Sequence, residues 1–122
     1  MAKKFSRINI ENSRHLEETI TGNIDAKNKS YYLIVNDWDD PCKFFLDSLD
    51  KNLGEANVVY TVNTYDVPNV LGTFRYCVKS HKETLPIGCF ANYSNLPMLV
   101  IMHKEFPEVV HYNGVIANEL RI

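Results

Sequence analysis

Apolar and polar positions alternate in different rhythms along this chain, and each rhythm predicts a different element. Phe5, Ile8 and Ile10 stand among polar neighbours, so Lys4 to Ile10 reads as a short, half-buried strand. Asn12 or Ser13 can then cap a helix that carries Leu16 and Ile20 and that Gly22 ends, leaving Asn23 to Ser30 as a polar loop. Tyr31-Tyr32-Leu33-Ile34-Val35 is a nearly continuous apolar run of strand formers, the pattern of a central strand buried on both faces. Asp40 as N-cap and Pro41 at the first helical position open a helix that runs from Pro41 to Leu53. Cys42, Phe45, Leu46, Leu49 and Leu53 fall on one face of it, and Gly54 supplies the stop.

The second half begins with a strand, Val58 to Val62, after which Asp66 and Pro68 open a helix with Val70, Leu71, Phe74, Cys77 and Val78 on one face. Strand, helix, strand, helix is the order of a parallel βαβ unit. Lys79 to Asn95 holds Pro86, Gly88 and Asn92 without a clear period and reads as an irregular insertion, a feature that in compact domains usually marks a binding loop. Met98 to His103 is a further strand, Val109 to Tyr112 its hairpin partner, and Lys104 to Glu108 the turn between them. Only a stub follows Gly114. The expected architecture is α/β, one domain over residues 1–122 with a central mixed sheet of four to five strands flanked by helices and a truncated final helix.

Composition narrows the function. The chain has 122 residues, 45% of them hydrophobic, enough for one core of ordinary size and too few for a second domain. Its 13 basic and 15 acidic residues give a net charge of -2, and no Lys and Arg stripe could neutralise several phosphates at once, which argues against direct nucleic-acid binding. No apolar run is long enough to cross a bilayer, and Met1-Ala2-Lys3-Lys4 leads into a polar segment rather than a signal-peptide core. Three cysteines, Cys42, Cys77 and Cys89, lie at unpatterned positions, which suits a reducing compartment, the cytosol or the nucleus. Cys77, His81 and Cys89 lack both a Cys-x-x-Cys pair and a fourth ligand, so neither a metal nor a cofactor is expected. His15, His103 and His111 are scattered and read as structural or exposed.

The chemistry concentrates in Asn36-Asp37-Trp38-Asp39-Asp40-Pro41-Cys42-Lys43, where a strand meets a helix across a tight turn. Trp38, Pro41, Cys42 and Lys43 match, in order and spacing, the Trp-Cys-Gly-Pro-Cys-Lys pattern, and the segment resembles the active-site corner of the thioredoxin superfamily. Asp39 stands where that family has its attacking cysteine and Asp40 where it has glycine. Leu96-Pro97 sits where thioredoxin-like proteins carry a cis-proline facing the turn, and Asn113-Gly114 where they have a glycine near the same surface. The family also holds a buried acid ahead of the first cysteine; counting back from Asp39 gives Leu33 instead. Disulfide exchange needs one thiolate to attack and a second thiol to resolve, and a carboxylate does neither. The resemblance therefore implies a kept fold and a lost dithiol. Within the superfamily, Asp37-Trp38-Asp39-x-x-Cys42 is similar to the turn of the redox-inactive thioredoxin-like subunit of the spliceosomal tri-snRNP, and Cys89-x-x-Asn92-Tyr93 with Asn95-Leu96-Pro97 to the phosducin-like branch, also non-redox binders.

Each candidate also has a plainer reading. The helix dipole favours a thiolate at Cys42, but Asp39 and Asp40 oppose it, so packing outweighs catalysis there. Trp38 is either a partner-binding anchor or a lid on the turn. Asp39 and Asp40 read better as an N-cap and a solvated charge than as an acid/base pair. Tyr65, Tyr76, Phe90, Tyr93 and Phe106 fill a core or, where the fold is incomplete, an interface. The expectation is a non-catalytic protein-interaction subunit or adaptor of a larger assembly, a ribonucleoprotein being one such assembly. Trp38, Asp39, Asp40, Pro41, Cys42, Leu96, Pro97 and Gly114 would form its partner-binding surface. The alternative is a single-thiol oxidoreductase that uses Cys42 with glutathione, or with Cys77 or Cys89 as resolver.

Overall fold

The central strand expected at Tyr31 to Val35 is the middle of the sheet. A computed structural model of the chain describes residues 5–36, 40–51, 57–81, 96–103, 106–110 and 116. Along them run β1 (Phe5–Asn9), α1 (Ser13–Asp25), β2 (Ser30–Val35), α2 (Asp40–Lys51), β3 (Asn57–Asn63), α3 (Val70–His81), β4 (Met98–His103) and β5 (Phe106–Val110). The 5-stranded sheet has the order β1-β3-β2-β4-β5. β1 and β2 pair with β3 in parallel, whereas β2 with β4 and β4 with β5 are antiparallel. This is the mixed, helix-flanked α/β architecture of a thioredoxin-like fold. Ile116 is helical and buried, and the rest of the segment in which a truncated final helix is expected lies outside the described residues.

Because successive strand residues point to opposite faces, β2 feeds two cores at once. Tyr32 and Ile34 join Leu16, Ile20, Val62, Phe74, Cys77, Met98 and Val100 on the face covered by α1 and α3. Leu33 and Val35 join Cys42, Phe45, Leu49, Val59, Leu99, Ile101 and Ile116 on the face covered by α2. β4 divides its side chains in the same way, so the apolar runs of both strands are explained by burial on both sides. On the first face the Tyr32 ring stacks on Tyr60 at 5.3 Å and meets Phe74 edge-on at 5.0 Å. Asn23 donates its side-chain amide to the Tyr32 phenol oxygen at 3.2 Å. Burial pushes that phenol up to about 12, although its hydrogen bonds with Ser30 and Asn23 act the other way.

Several element ends differ from expectation, each for a local reason. Asn12 caps α1 as expected, its side-chain oxygen accepting the His15 N–H at 2.8 Å. Gly22 does not end the helix, which continues to Asp25 and brings Ile24 against the α1/α3 core. The stop is a Schellman motif, with the Lys27 N–H bonded to Ile24 and the Asn28 N–H to Asn23, and with Lys27 itself at φ 57 in the left-handed region. Asp40 is the first residue of α2 rather than its N-cap. The turn at Thr64 to Asn69 delays α3 to Val70, and Lys79 to His81, expected to begin the insertion, extend it; the rest of that insertion, as far as Asn95, lies outside the described residues. β5 starts at Phe106, three residues before the expected hairpin strand, and includes Pro107 opposite Met102. An edge strand tolerates that proline because one side of it makes no ladder bonds.

Candidate functional site

At the end of β2 the chain turns into α2, and Cys42 lies in the first turn of that helix. Pro41 and Asp40 beside it are exposed, but Cys42 itself has 0% exposure and is a member of the α2-face core. In the same cluster lies Leu33, also fully buried, where the family resemblance would place a proton-accepting acid. The other members of that cluster are aliphatic and aromatic. With no exposed surface, the Cys42 sulfur is out of reach of a disulfide in solution.

The Leu96–Pro97 peptide bond is cis. Leu96 packs against both cores, including the one that contains Cys42, and Pro97 is buried. Since Ile34 pairs with Met98, the start of β4 and the end of β2 are adjacent in the sheet. The fold therefore brings Asp40, Pro41, Cys42, Leu96 and Pro97 to one corner. Trp38, Asp39 and Gly114, the other residues expected at this surface, lie outside the described residues. Two large exposed side chains stand on the elements that flank the corner. Phe44, on α2, is 65% exposed while its ring meets Phe45 edge-on. Sequence reasoning passed over it, although an apolar residue at a helix position facing away from the core was the available signal. Tyr65, for which core and interface were both open, is 75% exposed in the turn that follows β3. That turn is held to β2 by the Thr64 N–H, donated to the Val35 carbonyl at 2.9 Å.

The second described cysteine is elsewhere. Cys77 belongs to the α1/α3 core, and its Sγ approaches the Glu17 carbonyl at 3.9 Å. Burial pushes its thiol up, with Thr21 hydrogen bonding in the opposite sense. Cys42 and Cys77 thus lie on opposite faces of the sheet, so Cys77 cannot act as a resolver for Cys42 in this fold, as the oxidoreductase alternative had allowed. Cys89, the other resolver considered, is outside the described residues. Among the described residues no group of three or more His, Cys, Asp and Glu side chains could hold a metal ion, and no helix is long and apolar enough to cross a membrane.

A second feature of this end of the sheet carried no sequence signal, because its parts come from separate segments. Arg7 of β1 donates Nε–H to Asn9 at 3.0 Å and to Thr61 at 3.3 Å, while its Nη1 reaches both oxygens of Asp50 on α2 at 2.8 Å. Thr61, buried on β3, donates to the Asn9 side-chain oxygen. Next to this network a cavity of about 230 Å³ opens between the strand ends and α2, lined by Arg7, Asn9, Ile10, Val35, Leu46, Thr61, Asn63 and Asp66.

No protein-family model matches the chain, and no curated protein matches it. Solved structures do. A mutant thioredoxin from Halobacterium salinarum NRC-1 aligns over 99% of this chain and 93% of its own, at 10% sequence identity and a TM-score of 0.57. Thioredoxin O1 from Arabidopsis thaliana in its oxidized state aligns over 95% of this chain and 96% of its own, at 13% identity and a TM-score of 0.61. At these identities the likeness shows a shared fold. The chain has that fold without a Cys-x-x-Cys pair.

Proposed function

We propose that the protein is a non-catalytic interaction subunit or adaptor of a larger assembly, and that it takes a protein partner at the corner between β2, α2 and β4. The partner lies as an extended segment along the backbone beside Leu96 and Pro97. Asp40 and Pro41 are the exposed described residues of this surface, the family resemblance would add Trp38, Asp39 and Gly114, which lie outside the described residues, and the Cys42 side chain, expected at this surface, is buried instead. The observation that supports this reading most is the full burial of Cys42 in an apolar core. A sulfur that must attack a disulfide has to reach it, and a side chain with no exposed surface does not. The acid at position 39, the leucine at position 33 and the placement of Cys77 across the sheet agree with it. The exposed rings of Phe44 and Tyr65 supply apolar area on the flanking elements, of the kind that anchors a partner. The similarity of the turn to a spliceosomal scaffold subunit favours a ribonucleoprotein as the assembly.

Reduction of a glutathione mixed disulfide by the wild type and by Cys42→Ser tests the catalytic side. Neither protein turns over substrate above background on this reading, and turnover that disappears with Cys42 replaces it by the single-thiol oxidoreductase. Affinity purification from the native source tests the binding side. A partner retained by the wild type and lost with Trp38→Ala and Asp40→Lys supports the surface, and a partner indifferent to both moves the interface elsewhere.

A further inference from the structure

The two edges of the sheet are protected differently. At the β5 edge Pro107 lacks the N–H that a further strand would need. β1 forms the other edge and has no proline. Its charged residue, Arg7, is drawn toward α2, where both oxygens of Asp50 hold its Nη1 at 2.8 Å. The ladder shows which backbone groups of β1 stand open. The Ile10 N–H donates to the Thr61 carbonyl at 2.9 Å, and in a parallel ladder alternate residues turn both backbone groups the same way. Ser6 and Ile8 therefore bond to β3, while Arg7 and Asn9 turn N–H and C=O to a side where no described strand lies. Apolar area stands on the same strand: Ile8 is 41% exposed, although it shares a face with the buried Ile10.

We infer that β1 pairs antiparallel with β1 of a second copy of this chain, about a twofold axis at Ile8. Two symmetric registers give the outward groups of Arg7 and Asn9 partners, and the side chains choose between them. Centred on Arg7, the pairing sets two arginines directly opposite each other, which is destabilising, and Ile8 faces Ser6 of the second copy. Centred on Ile8, it sets Arg7 opposite Asn9 and Asn9 opposite Arg7, each pair exchanging both backbone hydrogen bonds. Ile8 then meets Ile8 of the second copy in the closer, non-hydrogen-bonded position, with Cα atoms ~4.5 Å apart, and each covers the other's exposed side chain. The pairing ends where Phe5 would reach Glu11, whose N–H is already given to His15 Nδ1 at 3.1 Å. The two sheets join into one. Since β3 stands between β1 and β2, the contact leaves the corner of β2, α2 and β4 uncovered and does not depend on the partner-binding reading. Short strands and one apolar pair make a weak, reversible dimer.

Sedimentation equilibrium of the reduced full chain, from about 10 μM to about 1 mM, tests the pairing. A reversible monomer–dimer equilibrium is expected. Ile8→Lys sets two ammonium groups at the axis and weakens the dimer at least ~10-fold, with its folding checked by an unchanged urea midpoint. Oxidation locates the axis, because the Cα separation at the Ile8 pair fits a disulfide. Ile8→Cys forms a covalent dimer, and Ser6→Cys and the wild type do not. A monomer throughout the range, or a dimer indifferent to Ile8→Lys, overturns the proposal. A covalent dimer that needs Ile8→Cys mixed with Ser6→Cys moves the axis to Arg7 and overturns the register.

Discussion

The two faces of the sheet both bury apolar side chains and use them differently. On the α1/α3 face the core is closed by polar ties: Tyr32 stacks on Tyr60, meets Phe74 and receives the Asn23 amide, and Cys77 approaches a helix carbonyl. On the α2 face the cluster from Leu33 to Ile116 is built of hydrophobic residues throughout, and polar groups stand at its rim, in the Arg7, Asp50, Asn9 and Thr61 network. The contrast is that Leu33 and Cys42 sit together in an apolar cluster, where a buried carboxyl would be costly, whereas the α1/α3 core already holds polar groups with partners.

The most drastic way to break this contrast is to put the acid back. Leu33→Asp places a carboxyl at a position with 0% exposure among apolar neighbours, and the expected cost is about 4 kcal/mol or more, read as a collapse of the urea midpoint. A loss near that of a surface substitution would mean that water already reaches the α2 face. The opposite face is probed by alkali. Tyr32 is raised from 10.0 to about 12, so in the unfolded chain the phenol gives up its proton first; the stabilisation is whole below about pH 10 and is lost as pH rises to about 12. Its size is on the order of 2 to 3 kcal/mol. Tyr32→Phe should cost about 1 kcal/mol at neutral pH for the lost hydrogen bond, and should flatten the alkaline limb of the stability curve. Parallel curves for the two proteins would place the phenol in water.

How far these features can be read from the sequence depends on whether the signal is local. The double-sided burial of β2 is legible in Tyr31 to Val35, because a half-exposed strand would alternate. The start of α1 is legible because Asn12 bonds to a residue three positions on. Its end is not, since the glycine that marks a stop is absent from the stop: Gly22 sits in the helix, where packing by Ile24 outweighs its helix penalty of about 1 kcal/mol, and Lys27 takes the left-handed position. The hairpin partner of β4 is legible, but its start is not, because Pro107 reads as a turn until the strand is known to lie at the sheet edge. Of the corner, Cys42, Pro41 and Leu96-Pro97 were visible as a spaced motif. The cavity was not, since Arg7, Leu46, Thr61 and Asp66 meet only through the strand order β1-β3-β2. The smallest of the expected effects follows from the α1 stop. Lys27→Gly relieves a left-handed lysine and should raise stability by up to about 1 kcal/mol in thermal unfolding; a decrease would show that the Lys27 side chain contributes more than its backbone costs.

The central claim is that Cys42 is a core side chain and no longer a reagent, and the rate at which each thiol of the folded protein is alkylated tests it directly. Residue-resolved mass spectrometry after a timed iodoacetamide pulse should find Cys42 as protected as Cys77, with both becoming reactive together as urea opens the fold. Labelling of Cys42 at the speed of an exposed model thiol, while Cys77 stays protected, would contradict the account.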